Sequence, residues 1–285
     1  MKKITFVPIE YGCNDNCISC PVPRQGEREN PSFKDVKESI DKIAQYSNHI
    51  EFNGGEPTLN KDLFKILKYA EIKGFKEIGL LSNVKLFYYE KYVKLLSTIK
   101  NIKIITTIYG HNEKIQDAIT RTPNSFKYKF GALKNLTKYE IPIELRILIH
   151  KMNYEYFEDI SKFIIENFQK DNFMKVVVMY PKLTVAAYKN KNVVSERMSI
   201  VSKYMISGVE KLSENGYNVV LYHFPHCVID KKIWKNSGEM TAIDGEMTFL
   251  ETCEECIMKS KCSGIWRSYL SIYDDKEFKP IKNED

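Results

Sequence analysis

Residues 4–20, ITFVPIEYGCNDNCISC, set a pattern that the rest of the chain repeats. Their first part, Ile4–Glu10, is apolar and rich in β-branched side chains, and it stops at a tyrosine–glycine pair. These features predict a β-strand that ends in a turn. Three cysteines lie on the loop that leaves this strand: Cys13, Cys17 and Cys20.

Strand-like runs alternate with amphipathic segments along most of the chain. The further predicted strands are His49–Asn53, Glu77–Ser82, Lys103–Ile108, Glu144–His150, Lys175–Tyr180 and Asn218–His223. The predicted helices are Phe33–Tyr46, Lys61–Ile72, Phe87–Ile99, Ser125–Tyr139, Glu155–Phe168 and Glu196–Glu214. Such alternation is typical of a parallel sheet with crossover helices. We therefore expect an α/β fold, a partial (β/α)6-type TIM barrel over residues 1–225, with a small cysteine-rich extension over residues 226–285.

Composition excludes several classes of protein. Of 285 residues, 43% are hydrophobic and 28% are charged, which excludes collagen-like and intrinsically disordered chains. The net charge of +6 comes from basic residues spread along the chain, which does not predict a nucleic-acid partner. No window reaches the ~20 apolar residues of a membrane span, and no signal-peptide core follows Met1. We therefore expect a cytoplasmic protein without a membrane or nucleic-acid partner, whose seven cysteines serve metal or redox chemistry.

Three cysteines on one loop indicate an open metal centre. Structural zinc sites are closed by four ligands, whereas three thiolates leave one metal position open to a substrate or cofactor. Thiolates are also the ligands of iron–sulfur clusters, and a cuboidal cluster held by three of them has one free iron. Two other readings stay open at this point. The loop is half of a zinc site that the distant cysteines complete, or its thiols are buried without a ligand role.

A second motif, Gly54-Gly55-Glu56-Pro57, follows the second predicted strand. Because the carboxyl ends of parallel barrel strands meet at one mouth, we expect this segment beside the cysteine loop. Its glycines let the backbone approach a ligand closely, and the Glu56 carboxylate or a strand-end carbonyl can accept hydrogen bonds from a cation. Taken alone, the same run is more typical of a turn before a helix.

The spacing Cys-x3-Cys-x2-Cys after the first strand of such a barrel resembles the radical S-adenosylmethionine (radical SAM) superfamily. The resemblance implies that Cys13, Cys17 and Cys20 hold a 4Fe–4S cluster whose fourth iron binds the amino and carboxylate groups of SAM. It also implies that the backbone of Gly54–Pro57 receives the SAM ammonium. Ser19 departs from the family pattern, which usually has an aromatic residue at that position.

Polar residues on later strands are further candidates. By the same resemblance, Ser82 and Asn83 lie near the methionine part of SAM. Arg146, within the fifth strand, can meet a carboxylate. The plain alternatives are a turn for Ser82 and Asn83 and an ion pair in the barrel wall for Arg146. Tyr109, at the end of the fourth strand, is interpreted as an aromatic residue of the barrel rim.

Four cysteines near the carboxyl terminus can close a second site: Cys227, Cys253, Cys256 and Cys262. Four thiolates suit either zinc or a 4Fe–4S cluster. The spacing Cys-x2-Cys-x5-Cys resembles the SPASM/Twitch extensions of radical SAM enzymes, which implies an auxiliary 4Fe–4S cluster. Trp266 stands where a complete SPASM pattern has another cysteine, which implies a shortened version with Cys227 as fourth ligand. Alternatively, Cys227 is a hydrogen-atom donor or a structural thiol, and His226 is interpreted as an ordinary hydrogen-bonded side chain.

The resemblance implies an enzyme that uses SAM and two clusters. An external one-electron donor, such as a flavodoxin or ferredoxin, would reduce the first cluster, and cleavage of SAM would give a 5′-deoxyadenosyl radical that abstracts a hydrogen atom. Because SPASM/Twitch relatives most often mature ribosomally synthesised peptides, we expect a peptide substrate and a crosslink, thioether or epimerised residue. The alternatives are a Twitch-type dehydrogenase acting on a small molecule and, in another class, a non-catalytic zinc-binding adaptor.

Metal analysis separates these readings. Protein purified and reconstituted without oxygen should contain about eight irons per chain, the content of two 4Fe–4S clusters. About four irons would mean that one cysteine group is misassigned. A colourless preparation that contains only zinc would contradict the radical SAM interpretation.

Overall fold

A seven-stranded parallel sheet forms the centre of the molecule. The computed structural model describes residues 5–22, 29–238 and 245–283, so the predicted strand start at Ile4 lies outside the described residues. The strands are β1 (Phe6–Glu10), β2 (His49–Gly54), β3 (Glu77–Leu81), β4 (Ile102–Ile108), β5 (Ile143–Leu148), β6 (Phe173–Met179) and β7 (Val219–Tyr222). Each pairs in parallel with the strand before it, so all seven carboxyl ends meet at one edge.

The sheet is open. Its strands are arranged in chain order from β1 to β7, and in the part of the chain that the structure describes the two outer strands do not pair with each other. A closed TIM barrel has eight strands, whereas this sheet stops at seven. The arrangement confirms the predicted α/β fold and its partial barrel.

Helices connect the strands and pack on the sheet. They are α1 (Phe33–Ile43), α2 (Leu63–Ile72), α3 (Glu90–Leu96), α4 (Glu113–Thr120), α5 (Ser125–Lys138), α6 (Phe157–Asn167), α7 (Val185–Lys189), α8 (Lys191–Val194) and α9 (Met198–Glu214). In α1, Ser32 and Asp35 form a capping box, and Val36, Ile40 and Ile43 are buried at helical spacing. No helix among the described residues is long and apolar enough to cross a membrane.

The two faces of the sheet differ in polarity because successive strand residues point to opposite sides. One face packs with the helices into a common core and carries apolar residues such as Ile50, Phe52, Leu80, Ile104 and Leu145. On the other face, Lys103 pairs with Glu51 (3.3 Å) and Glu77 (2.7 Å). Lys175 likewise pairs with Glu144 at 3.1 Å. Ion pairs between strands therefore take the place of the apolar layers that fill a closed barrel.

The sequence pattern does not predict three short helices, α4, α7 and α8. In α4, Asn112 caps the amino end and Ile115 and Ile119 are buried, but two apolar positions give too little periodicity to identify a helix. The other two have only five and four residues. The helix predicted over Phe87–Ile99 is shorter than expected, since a 3₁₀ turn at Lys85–Tyr88 precedes α3.

The segment after β7 packs onto the barrel. Besides short 3₁₀ turns, it contains a two-stranded ribbon and one short helix, which are β8 (Met247–Thr248), β9 (Ile265–Trp266) and α10 (Arg267–Leu270). Tyr269 is fully buried, and its ring packs edge-on against that of Tyr180 with centroids 5.7 Å apart. Phe278 lies in the same apolar cluster. The cysteine-rich extension and the barrel therefore share one hydrophobic core.

Two identical substitutions in α2 test this description of the core. Ile66 is fully buried, whereas Ile72 is 71% exposed. We expect Ile66→Ala to lower the free energy of unfolding by about 2–5 kcal/mol, because it removes buried methyl groups and leaves a cavity. The control, Ile72→Ala, should change it by less than about 0.5 kcal/mol. Urea unfolding followed by circular dichroism measures both, and equal effects would contradict the assigned core face.

Candidate functional site

The cysteine loop is held at the carboxyl edge of the sheet by α4. The amides of Asn16 and Ile18 donate hydrogen bonds to the carbonyls of Thr120 (2.9 Å) and Ile119 (3.0 Å) at the end of that helix. These bonds also satisfy carbonyls that the last helical turn leaves without an internal partner. A helix that the sequence pattern misses thus fixes the backbone between Cys13 and Cys20.

The Cys13 and Cys20 thiols lie close enough to Cys17 to influence its ionisation. Burial, the nearby Asp15 carboxylate and the Cys20 thiol together raise the pKa of Cys17 to about 12. A thiolate at this position therefore requires a cation beside it, and a metal supplies one because it binds the deprotonated sulfur. This all-sulfur donor set fits an iron–sulfur cluster.

A buried ion pair connects the cysteine loop to the loop after β3. The Lys85 ammonium donates to the Asp15 carboxylate (2.6 Å) and to the Asn14 carbonyl (2.7 Å). The two paired side chains are only 10% and 3% exposed, so removing either would leave a buried charge unpaired. The Asn83 side-chain amide donates a further bond to Asn14 Oδ1 at 2.6 Å. These contacts fix the residues between the first two cysteines.

The Gly54-Gly55 pair touches the end of β1 at distances that exclude a side chain. A Cβ atom on Gly54 would lie 1.9 Å from the Glu10 carbonyl oxygen, and one on Gly55 would lie 2.3 Å from the Gly12 carbonyl oxygen. Gly54 also has a φ of +140°, which L side chains rarely adopt. The amides of Gly55 and Glu56 donate to these same two carbonyls, both at 2.7 Å. The motif thus lies beside the cysteine loop, as the sequence predicts.

The Glu56 carboxylate is a buried hydrogen-bond centre, 1% exposed. It accepts bonds from the Thr58 amide (3.0 Å) and hydroxyl (2.6 Å). It also accepts bonds from the Ser82 hydroxyl (2.7 Å) and the Asn83 amide (2.6 Å). Pro57 opens the short 3₁₀ turn that Glu56 caps. Ser82 and Asn83 therefore join the loop after β3 to the loop after β2, and any bond from Glu56 to a cofactor competes with four bonds inside the protein.

Arg146 is engaged in the barrel wall. Its guanidinium donates to the Glu144 carboxylate from Nε (2.8 Å) and Nη2 (2.7 Å). Glu144 also pairs with Lys175 on the next strand, at 3.1 Å. The carboxylate that Arg146 meets in this structure is therefore one of the chain's own, which matches the plain alternative for this residue.

Three residues that the sequence reasoning did not select as site residues lie in or near the cysteine loop. Burial and the nearby Cys17 and Cys20 thiols raise the pKa of Tyr109 well above its usual value. Ser19 is 2% exposed. Lys129 extends from α5 to the loop after β3. The strand-end position of Tyr109 is a usable sequence signal, whereas a lysine in an amphipathic helix gives none.

A second group of thiols lines a cavity in the extension. The lining includes Cys227, Cys253, Cys256, Cys262, His226 and Phe249. Burial raises the pKa of Cys227 to about 12, and the three other cysteines add to this rise. The Ile281 amide donates to Cys256 Sγ (3.4 Å) and the Gly264 amide to Cys262 Sγ (3.5 Å). Within the described ranges, no three His, Cys, Asp or Glu side chains are gathered as they would be round a single metal ion.

Trp266 fills the wall between the barrel and the extension. It is 5% exposed, and its ring centroid lies 4.4 Å from that of His223. Burial, with the charge of Arg146, lowers the pKa of His223 to about 4, so this imidazole is neutral at neutral pH. Position 266 therefore contributes a packed aromatic ring and not a metal ligand.

The chain matches one family model and several curated proteins. The model of the radical SAM superfamily matches residues 7–164. The 7,8-dihydro-6-hydroxymethylpterin dimethyltransferase of Methanocaldococcus jannaschii is 28% identical over 172 residues, which are 56% of this chain and 33% of that protein. PqqA peptide cyclase of Bradyrhizobium diazoefficiens is 23% identical over 165 residues, which are 56% of this chain and 43% of that protein. The chain thus spans less than half the length of either relative.

Solved structures share the fold. SuiB of Streptococcus suis bound to its precursor peptide SuiA has a TM-score of 0.65 at 14% identity, over 78% of this chain and 49% of SuiB. SuiB bound to S-adenosylmethionine has a TM-score of 0.64 at 14% identity, over 90% of this chain and 55% of SuiB. This structural similarity covers 90% of the chain, which is more residues than the barrel contains, so it includes part of the extension.

The Glu56 network generates a prediction about SAM. Glu56→Gln keeps the shape of the side chain but replaces one carboxylate oxygen with an NH2 group. That group cannot accept a hydrogen bond from the donor that it faces, so at least one buried bond is lost. We expect SAM affinity to fall about tenfold. Calorimetric titration of the reconstituted protein measures it, with Glu38→Gln, an exposed substitution on α1, as the control. Unchanged affinity in Glu56→Gln would contradict the role of this network.

Proposed function

Because the chain belongs to the radical SAM superfamily, we propose that it modifies a peptide by abstracting a hydrogen atom from it. Membership makes it a radical SAM enzyme whose cofactors are a 4Fe–4S cluster and SAM. The observation that carries the proposal is that the loop bearing Cys13, Cys17 and Cys20 lies beside the Gly54–Pro57 segment at one edge of the sheet. When bound, the cluster and SAM supply a 5′-deoxyadenosyl radical by one-electron reduction.

The chain's own residues hold and enclose these groups. In the proposal, Cys13, Cys17 and Cys20 bind the cluster and leave one iron for SAM. The backbone of Gly54–Pro57 receives the SAM ammonium. Tyr109 is 9% exposed beside the thiols and helps to exclude water from that side of the loop. An external one-electron donor, such as a flavodoxin or ferredoxin, belongs to the same proposal.

We further propose an auxiliary 4Fe–4S cluster in the extension, with residues 226–285 as a unit after a barrel of residues 1–225. In support, its four cysteines line one cavity. Cys227 also interacts electrostatically with Cys253, Cys256 and Cys262, which favours it as the fourth ligand over a role as hydrogen-atom donor. Such a cluster would accept the electron that the substrate radical releases, or anchor the substrate.

Two observations support a peptide as substrate, within the maturation of a ribosomally synthesised peptide. PqqA peptide cyclase is named for a peptide, and SuiB is bound to a precursor peptide. The second candidate is a Twitch-type dehydrogenase reaction on a small molecule, since another relative is named for a pterin. Family membership gives no support to a zinc-binding adaptor.

The two cysteine groups should respond differently to substitution. Cys13→Ala, Cys17→Ala and Cys20→Ala should each abolish reductive SAM cleavage, because three thiolates are the minimum that holds this cluster. Cys256→Ala should retain cleavage but lose the modified product. Chromatographic measurement of 5′-deoxyadenosine with dithionite as reductant decides the first point, and full cleavage by any of the three variants refutes the assignment.

Substrate class is tested with the short peptides encoded beside this gene. Each is incubated with the reconstituted enzyme, SAM and dithionite in deuterated buffer, and its mass is then measured. Loss of two hydrogen atoms indicates a crosslink, and replacement of one hydrogen atom by deuterium indicates epimerisation. Unchanged peptides, with 5′-deoxyadenosine formation stimulated instead by small alcohols, sugars or pterins, would favour the second candidate.

A further inference from the structure

Lys129 is a buried lysine without an ion pair. It lies on α5 and is 3% exposed, and among the described residues no carboxylate lies within ion-pair distance of its ammonium. The ammonium donates to the Asn83 carbonyl (3.0 Å) and the Thr106 hydroxyl (3.3 Å). Neutral oxygens satisfy its hydrogen bonds but do not cancel its charge. Lysines are almost never this buried unless they are paired, so the charge requires an explanation.

The groups around Lys129 identify what its charge faces. Burial lowers the pKa of Lys129, whereas the charges of Asp15, Cys17 and Glu56 favour its protonated form and that of Lys85 opposes it. Asp15 is already paired with Lys85 at 2.6 Å. Glu56 already accepts four hydrogen bonds. Cys17, a ligand in the proposed function, is therefore the remaining group whose negative charge the ammonium can stabilise. Asn83, whose carbonyl accepts from Lys129, also donates to Asn14, so Lys129 is joined to the cysteine loop through one residue.

We propose that Lys129 is a positioning residue that supplies a fixed counter-charge to the first cluster and raises its reduction potential. This inference rests on the proposed function. Thiolate ligands make the cluster anionic, and the electron it takes up adds a further negative charge. A nearby ammonium in a poorly solvated site lowers the free energy of that reduced state more than it lowers that of the oxidised state. Lys129 thereby increases the fraction of enzyme that a given donor can reduce.

Two substitutions separate this role from a merely structural one. Lys129→Met keeps the length of the side chain and removes the charge. Lys129→Arg keeps the charge and changes the hydrogen bonds to Asn83 and Thr106. The matched control is Lys127→Met, which removes the same charge from an exposed position on the same helix.

The measurement is a redox titration of the reconstituted full-length protein, followed by electron paramagnetic resonance. The first cluster is recognised as the signal that changes when SAM is added. At a fixed potential, we expect the ratio of reduced to oxidised first cluster to fall about tenfold in Lys129→Met, which is a shift of ~59 mV for one electron. Lys129→Arg and Lys127→Met should titrate like the unsubstituted protein.

A wild-type titration in Lys129→Met overturns the inference. So does an equal shift in Lys129→Arg, because hydrogen bonding and not charge would then be responsible. If Lys129→Met binds too little iron, Lys129→Gln removes the charge with a polar side chain and is judged by the same shift. If no cluster signal of the unsubstituted protein changes when SAM is added, the proposed function is wrong, and this inference loses its basis.

Discussion

The buried carboxylate of Glu56 is the contact on which the candidate site depends. Its four hydrogen bonds join the loop after β2 to the loop after β3. Next to it, Gly55 packs against the backbone that leads from β1 into the cysteine loop. Glu56 and Gly55 together thus align the ends of three neighbouring strands. A buried donor or acceptor without a partner destabilises the fold by more free energy than a typical hydrogen bond contributes. Breaking one of these four bonds alone is therefore unfavourable.

Paired and unpaired charges have different roles at the carboxyl edge of the sheet. Asp15 and Lys85 cancel each other within the loop contacts, so their pairing positions the loop and adds little net field. Lys129 has no ion pair in the described part of the chain and donates only to neutral oxygens, so in the inference above its charge acts on the thiols. In the extension, by contrast, four cysteines line one cavity in a region of short turns.

Much of the fold and of the candidate site could be predicted from the sequence, because these features depend on local patterns. Strand and helix alternation gave the open parallel sheet, and the rule that carboxyl ends share one edge brought Gly54–Pro57 to the cysteines. Contacts between distant residues could not be predicted. The support from α4 depends on a helix with two buried isoleucines, Ile115 and Ile119, and the burial of Lys129 depends on how α5 packs. Arg146 shows a third limit, since a strand pattern does not reveal whether a charge meets a ligand or its neighbour Glu144.

The account's central claim is that the loop of Cys13, Cys17 and Cys20 holds a cluster with one iron open to SAM. Electron–nuclear double resonance of the reduced protein with SAM isotopically labelled at its amino nitrogen tests this directly. We predict an isotropic hyperfine coupling between the labelled nitrogen and the cluster spin, because spin density reaches that nucleus through a bond to the iron. A reduced cluster in the presence of bound SAM, but without that coupling, would contradict the account.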